Sequence, residues 1–363
     1  MKNGAIRWCV VVGLGLLAAA VAGAKGKGAV QPAPAATPKP GYGVVREIPV
    51  PGDGGWDYLA VDPAARRVYV THSTKVDVLD ADSLQVVGSI DGLAGVHGVA
   101  LAPELGRGFI SNGKTNSVTV FELASLKKVG EIPVTGESPD AILFDPVSAR
   151  VFVFNHRSGN VTVIDPAAAK VVGTIEVGGT LEFATTDLAG TVFVNVEDRG
   201  LLVAIDARTL AVKGKWPLAP CEEPTGMAID RAHRRLIAAC SNGLAAVVDP
   251  DHGKVVATVP IGQGVDGAGF DPQSLLAFSS NGEGSLTVVR EERPDRFAVV
   301  ETVPTRKGGR TMAVDEKTHR VFVSTAQYGP APAPTAEQPH PRPPVLPGTF
   351  VVLVLEPAAK KSS

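Results

Sequence analysis

Short hydrophobic runs of four to seven residues recur throughout the chain, separated by residues that favour turns. Runs such as "YLAVD", "RVYVT" and "KVDVLD" are rich in valine, and beyond residue 24 no segment sustains a 3.6-residue period. Valine-rich runs of this length between turn residues are typical of β-strands. The pattern therefore predicts an all-β protein.

The hydrophobic runs form groups of four, and the group occurs seven times. The repeat can be followed at the position that lies five residues before the end of each first run. Its occupants are Asp57, His97, Asp140, Glu182, Thr225, Asp266 and Arg310, at intervals of 40 to 44 residues. A repeat of about 42 residues matches a four-stranded β-propeller blade. We therefore predict a seven-bladed β-propeller over residues 42–357.

The seventh group lacks a fourth run, because the chain leaves "FVVLVLEP" without one. The matching run, "GVVREIPV" at residues 43–50, instead precedes the first group. An N-terminal strand that completes the last blade would join the two ends of the ring and leave no open edge between blades. We predict this closure.

The runs "RVYVTH" and "RVFVFN" resemble the Tyr-Val-Thr-Asn (YVTN) repeat. Over roughly residues 42–357 the chain resembles the YncE-like family of bacterial extracytoplasmic, WD40-like β-propellers. Repeats four and five depart most from that pattern. The resemblance implies a propeller outside the cytoplasm and leaves the activity open, because propellers host many functions.

The N-terminal segment has the features of a secretory signal peptide over residues 1–24: Lys2 and Arg7, then an apolar run, then small residues. Residues 25–41 read as a tether rich in Pro, Ala and Gly, and residues 358–363 as a polar tail. We expect a periplasmic or secreted protein with no membrane span after signal cleavage.

The net charge of −2 becomes more negative once Lys2 and Arg7 are removed, which argues against nucleic-acid binding. The sequence has no C-x-x-C-H for haem and no P-loop for a nucleotide. After cleavage two cysteines remain, Cys221 and Cys240. The topology predicts that they lie close together on one blade, either as a disulfide or as two buried thiols.

The first strands of a propeller converge on its central channel, so the seven repeat positions should form a ring there, with Glu223 beside Thr225. Converging carboxylates are costly unless a cation or a shared proton offsets them. The ring therefore predicts a binding site, although solvated rim residues are the plainer interpretation. Oxygen atoms with one imidazole suit Ca²⁺, Mn²⁺ or Fe²⁺. The predicted ligands are Asp57, His97, Asp140, Glu182 and Asp266.

Alternatively, Arg310 and His97 would bind a carboxylate or lactone oxygen while an aspartate acts as general base. The Asp-Pro pairs after the first strands suit type I turns, so Asp62, Asp145 and Asp271 are predicted to be structural. The remaining histidines fall in scattered loops and predict no ligand set: His72, His156, His233, His252, His319 and His340.

A Pro-rich insertion at residues 330–347 separates the second and third strands of the last blade, on the channel side. It is either a flexible segment or a lid over the channel. With no catalytic motif present, the sequence favours a binding protein for a small molecule, a glycan or a protein. The alternative is a metal-assisted hydrolase or lactonase acting at the same ring.

Overall fold

A computed structural model describes residues 39–335, 341 and 343–359. The predicted signal peptide 1–24 lies outside the described residues, as do most of the tether and most of the polar tail. In the described part of the chain, helical structure is confined to two single 3₁₀ turns, Pro103–Leu105 and Glu197–Arg199. No helix among these residues has the length and apolar character needed to cross a membrane.

Twenty-eight strands, β1 to β28, form seven four-stranded antiparallel sheets in the described residues. The first strands of blades 1 to 7 are β2 (Trp56–Asp62), β6 (Val96–Ala102), β10 (Pro139–Asp145), β14 (Leu181–Thr186), β18 (Pro224–Asp230), β22 (Val265–Asp271) and β26 (Thr311–Asp315). The second strands are β3 (Arg67–His72), β7 (Arg107–Asn112), β11 (Arg150–Asn155), β15 (Thr191–Val196), β19 (Arg235–Cys240), β23 (Leu276–Asn281) and β27 (Arg320–Thr325).

The third strands are β4 (Lys75–Asp80), β8 (Ser117–Glu122), β12 (Asn160–Asp165), β16 (Leu201–Asp206), β20 (Leu244–Asp249), β24 (Ser285–Arg293) and β28 (Val351–Glu356). The fourth strands of blades 1 to 6 are β5 (Val86–Ile90), β9 (Lys128–Pro133), β13 (Lys170–Glu176), β17 (Val212–Pro217), β21 (Lys254–Pro260) and β25 (Arg296–Pro304). Each first strand contacts the first strand of the next blade, and β26 contacts β2. The blades therefore close into a ring.

The N-terminal strand β1 (Gly43–Pro49) completes blade 7 by pairing antiparallel with β28. Its backbone is fixed at the start by Glu301, whose carboxylate accepts the backbone N–H groups of Gly41 and Tyr42 at 2.9 and 3.0 Å. The predicted seven-bladed fold and its closure by an N-terminal strand are both confirmed.

Hydrophobic packing lies between blades rather than within one central core. The buried apolar residues form seven clusters in the described chain, and each cluster joins two neighbouring blades. Because a four-stranded sheet cannot bury both faces alone, each blade depends on its neighbours for burial.

The predicted Asp-Pro turns are present and use their aspartates as turn caps. Asp62 accepts the backbone N–H groups of Ala64 and Ala65 at 3.0 and 2.9 Å, and Asp145 accepts that of Ser148 at 2.8 Å. Asp271 accepts the N–H of Gln273 in the same way. These contacts satisfy backbone donors within the turns, as expected for structural turns.

Strand β1 supplies one buried side chain to the last blade, and this predicts a site-specific loss of stability. Ile48 is 4% exposed within the cluster between blades 7 and 1, whereas Val45 on the same strand is 56% exposed. Ile48→Ala should lower the free energy of unfolding by about 2–5 kcal/mol, because it leaves a cavity. Val45→Ala should change it by less than about 0.5 kcal/mol. Equal losses in denaturant titrations would contradict the docking of β1.

Candidate functional site

The repeat positions lie where the first strands break register with the second strands. In blades 1 to 6 the pairing is interrupted between Trp56 and Leu59, Val96 and Val99, Pro139 and Ile142, Leu181 and Ala184, Pro224 and Met227, and Val265 and Gly267. Each interruption contains the residue of the predicted ring. A β-bulge bends the strand and changes the direction of a side chain, which explains why these residues leave the ordinary strand alternation.

Buried polar residues on the second strands hold these bulges in place. Ser111 accepts the N–H of Gly98 at 2.8 Å and donates to the carbonyl of Asp140, in the next blade, at 2.5 Å. Asn195 donates to the carbonyl of Thr225 at 3.1 Å, again across a blade boundary. Because a bulge leaves ladder groups unpaired, such side chains supply the missing hydrogen bonds.

Blades 1 to 4 bring five ionisable side chains into one chain of alternating acids and imidazoles. Asp57 lies 2.6 Å from His97, and His97 lies 3.7 Å from Asp140. Beyond Asp140, His156 is 3.8 Å from its other carboxylate oxygen and 3.0 Å from Glu182. We call these five residues the acidic arc. It includes four of the predicted ring residues.

Asp140 is the central member of the acidic arc and is its most buried carboxylate, with the residue 8% exposed. Among the described residues, its Oδ1 atom has no hydrogen-bond partner. Burial raises the pKa of Asp140, and the negative charge of Asp57 raises it further, while His97 acts in the opposite direction. This carboxyl group thus lacks a hydrogen bond at Oδ1, and the charges of His97 and His156 only partly offset the effect of its burial.

The two imidazoles of the arc, unlike Asp140, are stabilised in their charged form. Burial alone lowers the pKa of His97, but the hydrogen bond to Asp57 and the charge of Asp140 raise it to about 9. The contact with Glu182 raises the pKa of His156. Both imidazoles are therefore protonated at neutral pH and offset the carboxylate charge when no cation is bound.

Two aromatic side chains lie next to the acidic arc. Tyr58 of blade 1 donates a hydrogen bond to Glu182 of blade 4 at 3.2 Å, and its ring packs edge-on against Phe183 with centroids 5.3 Å apart. These two rings line a cavity of about 60 Å³ with Leu59, Val99 and Ile142 among its other walls. The polar arc therefore lies next to a cavity lined mainly by apolar side chains.

The ring residues of blades 5 to 7 do not join the arc. Asp266 forms an ion pair with Arg310, so its charge is already neutralised. Thr225 donates to the carbonyl of Val265 at 3.0 Å, and Glu223 is exposed and accepts a hydrogen bond from Ser241. Among the described residues, the three-ligand groups that could hold a metal do not include Asp266. Four of the seven predicted ring positions thus belong to the acidic arc, and Asp266 and Arg310 pair with each other.

His156 is a member of the site that the sequence interpretation missed. It was placed among scattered histidines without a ligand pattern, yet it directly follows β11 and contacts both Asp140 and Glu182. A residue that leaves a second strand emerges at the same face as one that enters a first strand. The topology that located Cys240 would have located His156 as well.

The acidic arc fits a divalent cation. Asp57, His97 and Asp140 each offer one ligand atom, and these atoms lie within 4.8 Å of one another. Asp140, His156 and Glu182 form a second such group, so Asp140 belongs to both. Carboxylates combined with imidazole suit Mn²⁺, Fe²⁺ or Zn²⁺ better than Ca²⁺, which prefers oxygen alone. Because the arc contains a second imidazole, we expect a transition-metal ion or Zn²⁺ rather than Ca²⁺.

Two grooves lie near the ring positions, one at His97 of the acidic arc and one at Arg310. One of about 340 Å³ runs outward from His97 past Lys114, Glu137 and Arg157. Its space depends on Gly113, where a Cβ atom would lie 2.6 Å from Nε2 of His97. The other, of about 360 Å³, is lined by Gly55, Trp56, Arg310, Tyr328, Pro343 and Val345.

The second groove lies at the base of the Pro-rich insertion. A β-bridge between Tyr328 and Val345 closes this base, and Gly329 donates to the carbonyl of Pro344 at 2.8 Å. Residues 336–340 and 342 of the insertion lie outside the described residues. Elsewhere on this face the structure pairs Cys221 with Cys240 in a disulfide, with Cα atoms 5.7 Å apart.

Comparisons with known proteins identify the fold. No known family profile matches the chain, and no curated protein matches its sequence. A structure described as Kuenenia stuttgartiensis hydrazine synthase is 16% identical, with a TM-score of 0.66 over 82% of this chain and 96% of that chain. A structure of U3-55K is 9% identical, with a TM-score of 0.68 over 86% and 98% of the two chains. At such identities the similarity supports the β-propeller fold and no shared function.

The raised pKa of His97 predicts a pH-dependent contribution to the stability of the metal-free protein. The folded state binds this proton more tightly than the unfolded state, where the pKa is near 6.5. The stabilisation is therefore complete below pH 6.5 and disappears as the pH rises through about 9. His97→Asn keeps a donor toward Asp57 but cannot titrate. The Tm difference between wild type and variant should be largest at low pH and close above pH 9. A constant difference across this range would contradict the interpretation.

Proposed function

We propose that this chain is an extracytoplasmic β-propeller binding protein that holds a divalent transition-metal cation at its acidic arc. The observation that carries the proposal is the buried, unpartnered Oδ1 of Asp140 between two imidazole–carboxylate pairs. A buried carboxylate without a hydrogen bond is costly, and a cation would remove that cost. Metal binding would displace the protons of the two imidazoles, as ligand deprotonation requires.

The groove next to His97 supports a small anionic ligand as the second component. Lys114 and Arg157 are exposed in this groove, and His97 lies at its inner end. A carboxylate or phosphate that contacts both side chains would reach the cation with another of its oxygen atoms. We propose such a ligand, bound jointly by metal and groove, in preference to a glycan or a protein partner.

The proposed location outside the cytoplasm is supported by the signal-peptide features of residues 1–24 and by the resemblance to YncE-like, YVTN-repeat propellers. The Cys221–Cys240 pair agrees with an oxidising compartment. The match of the structure to other propellers supports the fold on which the site depends.

Substitution of Asp140 tests the metal site directly. Asp140→Asn retains the shape of the side chain but removes a ligand shared by both three-residue groups, so affinity for Mn²⁺ or Zn²⁺ should fall more than about tenfold. The measurement is calorimetric titration of protein first treated with a chelator.

The matched control is Asp266→Asn, which changes the equivalent position of blade 6. Because Asp266 is paired with Arg310, this variant should bind the cation with unchanged affinity. Equal losses in the two variants would point to a general charge effect. No binding of either cation to the wild type would refute the proposed site.

A metal-assisted hydrolase or lactonase is the second candidate, favoured by the groove of about 340 Å³ that includes His97 of the acidic arc. A cation held by Asp140 would polarise a carbonyl oxygen and activate a water molecule there. If the protein turns over members of a lactone panel, Asp140→Asn should reduce the rate by roughly 10²–10⁴-fold, because it removes the ligand shared by both three-residue groups. Metal binding without turnover would leave the binding function alone.

A further inference from the structure

A second cluster of ionisable side chains lies at the boundary between blades 5 and 6. Asp230 is the last residue of β18, His233 lies in the following turn, and Glu291 belongs to β24. The Nδ1 atom of His233 is 2.7 Å from Oδ2 of Asp230 and 2.9 Å from Oε1 of Glu291. The cluster therefore joins two blades through one imidazole.

This cluster is remote from the acidic arc. Strand β18 begins at Pro224, beside the ring residue Thr225, and Asp230 lies five residues further along. Five residues of strand span about 17 Å, which places Asp230 at the opposite face of the ring of blades. The cluster is independent of the site at the channel.

Glu291 is the unusual member. Its side chain is 1% exposed, and neither of its carboxylate oxygens has a hydrogen-bond partner among the described residues. One imidazole N–H donates one hydrogen bond, and the geometry assigns it to Asp230, which also accepts the backbone N–H groups of Ala232 and His233. Glu291 thus lies 2.9 Å from an imidazole nitrogen that Asp230 approaches more closely.

Arg234 and Arg235, which follow His233 in the chain, have other partners. Arg234 is directed to Asp251, and Arg235 donates to the carbonyl of Pro294. Two carboxylates that face one imidazole in a buried position carry an unbalanced charge unless a cation or a proton lies between them. A bound cation and a shared proton predict different responses to added metal.

We propose that Asp230, His233 and Glu291 form a second divalent-cation site, suited to Zn²⁺, which links blades 5 and 6. The three ligand atoms lie within 4.8 Å of one another. Tetrahedral Zn²⁺ with bonds near 2.0 Å separates its ligand atoms by about 3.3 Å, so His233 must move by only a few tenths of an ångström. Its side chain is 40% exposed, which permits that movement and provides a path for the ion.

The same blade contains a matched control. His252 lies 2.9 Å from Asp249 with the same three-residue spacing as His233 and Asp230. This pair is not part of any three-ligand group among the described residues. Comparison of the two pairs separates a built site from incidental binding of Zn²⁺ to a surface histidine.

The experiment uses full-length Asp140→Asn protein, treated with a chelator, so that binding at the acidic arc is weakened more than about tenfold. Calorimetric titration with ZnCl₂ should show one ion per chain, and the Tm should rise with added Zn²⁺, because the ion binds the folded state. Adding Glu291→Gln or His233→Asn should weaken binding more than about tenfold and abolish the rise in Tm. Adding Asp249→Asn should leave both unchanged.

Three results would overturn the proposal. The first is no binding of Zn²⁺ to the Asp140→Asn parent, which would favour a shared proton at this cluster. The second is unchanged affinity in both Glu291→Gln and His233→Asn. The third is an equal loss in the Asp249→Asn control. Since the parent already lacks the central ligand of the acidic arc, failure here is distinct from failure of the proposed function.

Discussion

The architecture of the site depends on one constraint: the bulge in the first strand of blades 1 to 6 must have its backbone groups satisfied from the second strand or the neighbouring blade. Ser111 and Asn195 do this across blade boundaries, and Thr71 does it within blade 1. These side chains are fully buried. Because the bulge directs one residue per blade out of the strand alternation, hydrogen bonding in the core determines which residues reach the channel.

The seven ring positions differ in how their charges are paired. In blades 1 to 4, three carboxylates share two imidazoles and none is paired with a lysine or arginine in the ion pairs of the described residues. In blades 6 and 7, Asp266 and Arg310 neutralise each other. A cation gains most where a buried carboxylate oxygen lacks a hydrogen bond, which is at Oδ1 of Asp140. The unequal pairing of charges around the ring therefore favours a cation at one position.

The sequence predicted the fold closely because repetition and periodicity are local signals. The intervals of 40 to 44 residues, the valine-rich runs and the displaced strand at residues 43–50 were sufficient for seven blades and their closure. The convergence of Asp57, His97, Asp140 and Glu182 also followed from topology. What the repeat position could not show was which neighbours each residue contacts.

His156 and Tyr58 illustrate that limit. Each belongs to the site through a contact with another blade, and neither occupies the repeat position itself. The Asp266–Arg310 pair likewise depends on side-chain reach, which spacing does not encode. Glu291 was hidden for a further reason: it lies in a third strand, whose buried face is expected to be apolar. Contacts between blades are set by packing, and a single sequence records them only indirectly.

The pairing of β1 with β28 has a consequence for the order of assembly. During synthesis, residues 43–49 are made about 300 residues before their partner, residues 351–356. For most of that interval the early strand has an unsatisfied edge, which is prone to pair with other chains. Blades 1 to 4, which contain the acidic arc, can form before blade 7 closes the ring. The candidate metal ligands would therefore come together before β1 pairs with β28 and closes the ring.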